Sequence, residues 1–307
     1  MDSNPTGVLL LAFGGADSPE AIEPFMKNLM GGRVPPPALV EKIKARYGLI
    51  GGKSPLPEIT AAQAAQLQEQ LSVEGNYRVA VGMRYWRPFI KDGLNKLLAH
   101  GVKKIVALSL APFYSQVSTG AYKEELDRVI ASVGQEAPQV VMAGPIYNNP
   151  LFLEAVAEKV ADGLALIPEE RRKNIPVIFS AHSLPVNYVQ DGDPYVEQFT
   201  YTVRAVVEKL QIANWYIAYQ SKGGGQGEWL GPMVEEVMEQ VKAQGATEVL
   251  VVPAGFVSDH IETLYDVDIA QKGYSVSVGL NFHRTASLNI SPVFIKAMAD
   301  TVLREML

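Results

Sequence analysis

The 307-residue chain contains no cysteine. Disulfides, thiolate metal sites, iron–sulfur clusters and a cysteine nucleophile are therefore excluded, and any metal must be held by His, carboxylate, Tyr or Met. Long apolar runs are also missing: the two longest, around residues 105–113 and 249–257, fall far short of a bilayer span. The start, "MDSNPTG", has no cationic stretch ahead of the first apolar segment, so no signal peptide is expected. Basic residues are outnumbered, 27 against 33 acidic, and the net charge is −6. That balance argues against nucleic acid held by bulk electrostatics. A soluble cytoplasmic protein is the expectation. What the chain has in quantity is apolar surface: 48% hydrophobic residues suffice for a sizeable core in one large or two ordinary domains.

Short apolar runs recur, punctuated by Gly, Pro or Ser. Four read as strands in the first half: "GVLLLAFGG", "YRVAVGMRY", "KKIVALSLAPF" and "QVVMAGPI". Four more follow: "PVIFSAHSLP", "WYIAYQS", "EVLVVPAGF" and "YSVSVGLNF". Most are apolar on both faces, as parallel strands covered by helices on each side must be. Helical patterns alternate with them. Thr60 is placed to cap "TAAQAAQLQEQL", Asn149 precedes Pro150, Gly245 follows "VEEVMEQVKAQ", and Ser291–Pro292 opens the last helix. The segments Trp86–Phe113 and Trp229–Phe256 run over equal lengths with a Gly near each helix end, a weak internal repeat. The expected fold is α/β: two similar Rossmann-like domains, each a four-stranded parallel sheet flanked by helices, with a cleft between them. Residues 1–147 form the first, with a lip over the cleft at about 20–58. Residues 148–287 form the second, and the helix at 288–307 packs back on the first.

In open α/β sheets ligands bind beyond the carboxyl ends of strands. Phosphate motifs are not met there: "SKGGGQGEWLG" puts Leu230 where Gly225 and Gly227 would need a third glycine, and "GLIGGKSP" would need a glycine at Tyr47. No G-x-S-x-G elbow occurs, which counts against a serine hydrolase. The fifth strand ends in "SAHSLP", where His182 appears as the apolar run stops. The seventh ends in "GFVSDHIETLYDVD", with Asp259, His260, Glu262, Asp266 and Asp268. Asp259 and Glu262 fit a capping box. Asp266, four residues past Glu262, shares its helical face, and like charges at that spacing repel. Such a face binds a cation, moves protons or is simply solvated. An imidazole ordinarily titrates at about 6.5 and a glutamate at about 4.3, so the two types together suit acid–base chemistry or a hard divalent metal. The first domain offers Phe13, Arg84, Tyr85, Trp86, Phe113 and Tyr114 at strand ends, with Arg33, Tyr47, Lys53 and Ser54 on the lip. Flat apolar walls with cations at the rim suit a planar, anionic, aromatic ligand, although the same aromatics would also serve as core.

Taken together, "FSAHSLP", "GDPY", "YQSK" with "WLGP", "GFVSDHIETLYDVD", "RTASLN", "GGKSPL" and "LAPFYS" resemble the ferrochelatase family along nearly the whole chain. The resemblance implies insertion of Fe²⁺ into protoporphyrin IX or coproporphyrin III, with no resident cofactor and no iron–sulfur cluster. It implies His182 and Glu262 as the catalytic and metal-handling pair, facing each other across the macrocycle. Asp266, Asp259 and His260 would form or support a proton or metal relay. Phe13, Arg33, Tyr47, Ser54, Arg84, Tyr85, Tyr122, Ser221 and Trp229 would contact the porphyrin. Expected partners are the porphyrin and ferrous iron, with transient contacts to haem-pathway enzymes and no nucleic acid; the chain would be a monomer. Three departures stand out. Position 270 is Ala where the family often has a third carboxylate, Phe13 stands where one bacterial subgroup has Tyr, and "NLMGGR" holds only Arg33 where related bacterial sequences are arginine-rich. The rivals are a chelatase for another metal and a porphyrin-binding protein without catalysis.

Overall fold

A computed structural model describes residues 4–223 and 227–306; Gly225 of the glycine-rich loop lies outside them. The chain divides into two compact units, one of Met1–Ile146, Ser258–Ile261 and Asn289–Leu307, the other of Tyr147–Val257 and Glu262–Leu288.

The first unit holds β1 (Thr6–Ala12), β2 (Tyr77–Met83), β3 (Lys104–Ser109) and β4 (Gln139–Met142), all parallel, in the order β2-β1-β3-β4. β1 is buried from Gly7 to Ala12, because helices cover both faces of this central strand. On one face Leu9, Leu11, Ile105 and Ala107 meet Leu94, Leu97 and Leu126. Each such leucine, fully buried, contributes about 1.5–3 kcal/mol. The last helix, Pro292–Arg304, packs on the helix Leu56–Ser72 of the same unit.

The second unit repeats the plan with β5 (Val177–His182), β6 (Trp215–Gln220), β7 (Glu248–Val252) and β8 (Asn281–Arg284), parallel, in the order β6-β5-β7-β8. The repeat reaches into single hydrogen bonds. Met83 N–H donates to the Pro88 carbonyl and Tyr219 N–H to that of Pro232. Asp92 accepts from Phe89 N–H at 2.8 Å, and Glu236 from Met233 N–H at 2.7 Å, each acid sitting three residues into its helix.

Helix ends follow local chemistry in part. Asn149 Oδ1 caps Pro150–Ala165 by accepting from Leu151 N–H, and Gly245, at φ +92°, ends the helix Val234–Ala243. Thr60 does not cap. It lies inside Leu56–Ser72, whose start is set by Pro55 and Pro57, and its hydroxyl bonds back to the Leu56 carbonyl. The eighth strand is shorter than the alternating "YSVSVGLNF" predicts. Lys272–Ser277 is helical, Gly279 at φ +75° turns the chain, and pairing starts at Asn281.

Candidate active site

In the second unit the strand order reverses between β5 and β7, the point where loops leave in opposite directions and open a crevice. His182 closes β5 and Glu262 follows β7. His182 Nδ1 lies 2.6 Å from the Ser183 carbonyl, which can only accept, so Nδ1 carries the hydrogen. The imidazole therefore turns Nε2 towards Glu262, 3.6 Å from Oε1. A ring cannot lie in that gap. His182 and Glu262 stand side by side rather than on opposite faces of a macrocycle, which corrects the family-based expectation.

Both residues are anchored through their backbones. The buried Tyr195 hydroxyl donates to the His182 carbonyl at 3.0 Å, and burial raises the Tyr195 pKa, so the phenol stays a neutral donor. Gln220, 1% exposed at the end of β6, accepts from Ser180 Oγ and donates to the Glu262 carbonyl. Neighbouring Tyr219 is pushed up to about 12 by burial. Gly255, in the loop after β7, donates its N–H to the Ser180 carbonyl, and a Cβ there would fall 2.7 Å from the Ala181 Cα. Gly255→Ala must push the backbone beside His182. The expected result is a loss of about 1–3 kcal/mol with reduced activity, read by urea unfolding and turnover.

The acidic segment is a ten-residue π-helix, Glu262–Gln271, where an α-helix was expected. Val267 turns into the core, and Asp266 is held beside it by Ser221 Oγ, which donates at 2.6 Å. Ser221 does so from a left-handed backbone, φ +58°, a strained conformation for a non-glycine residue. Asp268 pairs with Arg284 at the end of β8, and Arg284 also donates to Ser287 Oγ. Arg284→Met would leave Asp268 without this partner. About a third of the Asp268 side chain is open to solvent, so the expected loss is about 1–3 kcal/mol, below that of a fully buried pair, again read by urea unfolding.

Asp259 and His260 belong to the first unit. The Asp259 N–H that a capping box would give to Glu262 goes to Asn289 Oδ1, and Asn289 Nδ2 returns a bond to Asp259 Oδ2. Gln63 ties this segment down, donating to Ser258 Oγ and to the Asn289 carbonyl, while His260 Nδ1 lies 3.1 Å from the Ser258 carbonyl. The structure thus gives Asp259 and His260 to a network of the first unit.

Among the porphyrin-contact candidates, Phe13 is 42% exposed, with its ring 4.8 Å from that of Tyr85. The Arg84 guanidinium lies 4.9 Å over the Tyr85 ring, while burial raises the Tyr85 pKa and the nearby charge of Arg84 lowers it. Arg33 is exposed, its Nε donating to the Met30 carbonyl. Tyr47, Ser54 and Tyr122 are corrected. Tyr47 packs with Ile22, Phe25 and Val40, Tyr122 sits in the β1–β3 core, and Ser54 is wedged under Gly15; none offers surface to a ligand. In the second unit Trp229 pairs with Pro185 and lies against Gly223. Two surface cavities, of about 410 Å³ beside Arg171 and Glu248 and about 490 Å³ beside Arg78 and Asp92, lie away from all these residues.

Two parallel four-stranded units with a His–carboxylate pair at one switch point define the chelatase fold. SirB from Bacillus subtilis, in a structure with Fe³⁺, superposes with a TM-score of 0.63 at 14% identity, covering 98% of this chain and 95% of that one. The ferrochelatase family model matches residues 5–306. The ferrochelatase of Geotalea uraniireducens (strain Rf4) is 41% identical, covering 97% of each chain, and that of Deinococcus radiodurans 34% identical, over 99% of this chain and 97% of the other. The chain belongs to the ferrochelatase family. Among the described residues no helix is long and apolar enough to cross a membrane.

Proposed function

We propose that the chain inserts Fe²⁺ into a carboxylated porphyrin, protoporphyrin IX or coproporphyrin III, with release of two protons. The observation that carries this reading is the His182 Nε2–Glu262 Oε1 approach of 3.6 Å, with the imidazole tautomer set by the Ser183 carbonyl. Metallation removes two N–H protons from the pyrroles and strips water from the incoming ion. A lone pair on Nε2 accepts a pyrrole proton, and the adjacent carboxylate takes it on or balances the charge of the imidazolium. The iron enters and leaves as Fe²⁺, so the reaction needs no resident redox cofactor. Phe13 and Tyr85 of the first unit are the aromatic surface, and Arg84 and the exposed Arg33 the cations, that the family resemblance assigns to the ring and its carboxylates. The porphyrin and Fe²⁺ are the partners this chemistry requires, and a cytoplasmic monomer is sufficient for it. Turnover of the two porphyrins side by side, each with Fe²⁺, Co²⁺ and Ni²⁺ under anaerobic conditions, tests the reading. Preference for Fe²⁺ with either porphyrin is expected; preference for Co²⁺ or Ni²⁺ would make the protein a chelatase for another metal.

A further inference from the structure

One turn past Asp266, at the position where a third carboxylate would continue the line, the chain has the exposed Ala270. Val234 and Val237 of the helix Val234–Ala243 pack in one cluster with Val267 of the π-helix, and Tyr274 packs against the same cluster. The hydroxyl of Tyr274, in the helix Lys272–Ser277 that follows the π-helix, donates to Glu239 Oε1 and ties that helix to Val234–Ala243. Glu235 is one turn before Glu239 and so shares its face, the face that meets Tyr274. Asp266 is presented by Ser221, and the helix carrying Glu235 begins beside that same strand end, where Tyr219 bridges to Met233.

We infer that Glu235 is the third carboxylate of the line: a proton on Asp266 passes to Glu235 and from there to water, in place of a residue at 270. The groups facing it are Asp266, its own neighbour Glu236, and Tyr274 with Glu239. Burial raises the Glu235 pKa, a backbone hydrogen bond opposes this, and the charges of Asp266 and Glu236 add to the rise. Each transfer neutralises one carboxylate and frees the one before it, so no charge accumulates and nothing is consumed. The inference rests on the proposed reading, in which pyrrole protons arrive at the Glu262 end.

The test is anaerobic Fe²⁺ insertion by the full chain carrying Glu235→Gln, Glu235→Asp, or Glu235→Gln with Ala270→Glu, with His182→Ala alongside. Glu235→Gln should lower kcat about tenfold, less than the loss of a group that meets the substrate, and leave KM for porphyrin and metal unchanged. An acid whose pKa is raised on folding costs stability once ionised, so the Gln variant should melt at or above the wild-type temperature. Glu235→Asp and the Ala270→Glu double variant should both recover most of the lost kcat. Wild-type kcat in Glu235→Gln, with His182→Ala inactive, overturns the inference alone. A loss of kcat that neither carboxylate restores assigns Glu235 a structural role and overturns it as well. Full activity in His182→Ala would remove the reading on which it rests.

Discussion

His182→Ala should lower metal insertion by about 10²–10⁴-fold while leaving porphyrin affinity within a few-fold of wild type. That range is what a positioned acid–base group supplies. The prediction is separable from misfolding for structural reasons. Among the described residues the His182 ring makes its hydrogen bond to the carbonyl of its neighbour, and it is one-third exposed, so little packing is lost. The contact that anchors the end of β5, Tyr195 to the His182 carbonyl, is a backbone contact that alanine keeps. A melting temperature near wild type with lost turnover is the expected pair of results. Porphyrin fluorescence quenching, measured on the same samples, checks that binding survives.

Glu262→Gln should cost about 10²-fold in kcat, with a raised KM for the metal. The substitution keeps shape and the backbone carbonyl that Gln220 holds, and removes only the charge facing His182. Because the two groups are 3.6 Å apart and, in the proposed reaction, act on the same protons, their losses should not add. The double variant should be no slower than His182→Ala within about twofold. Full additivity in the cycle would mean that the two residues serve separate steps, and the side-by-side pair would lose its meaning.

Most of the framework could be read from the chain because its causes are local. A strand buried on both faces must be apolar throughout, so β1, β5 and β7 announce themselves. His182 and the acid-rich segment stand out for the same reason, as polar residues where apolar runs stop. Depth is harder to read than identity. Tyr47 and Tyr122 are aromatic on the surface of a helix pattern, yet their neighbours from distant segments close over them. "YSVSVG" alternates like a strand, but its serines and valines complete a helix that the preceding π-helix has already begun.

The residues that sequence reasoning missed are those whose work is long-range. Gln220 has one visible trace, a polar residue ending "WYIAYQ", but its partners lie 40 and 42 positions away. Gln63 is further still from Ser258 and Asn289, and in sequence it is one of several glutamines on a helix. Arg284 sits in "NFHRTAS" without any local reason to pair with Asp268. That pair also divides the acids of 255–268 into separate uses. Asp268 braces the segment, Asp259 joins the Gln63 network, and Glu262 with Asp266 are left for the proposed chemistry.

The central claim is that the His182–Glu262 pair exchanges pyrrole protons for a metal ion. Its most direct test is the wild-type chain mixed anaerobically with porphyrin and Fe²⁺ in weak buffer, with absorbance following the metalloporphyrin and a pH indicator following the protons. The account predicts catalysed metalloporphyrin formation with two protons released per ion inserted, both lost together in His182→Ala. Porphyrin binding without metallation above the uncatalysed rate would contradict it and leave a binding protein in place of an enzyme.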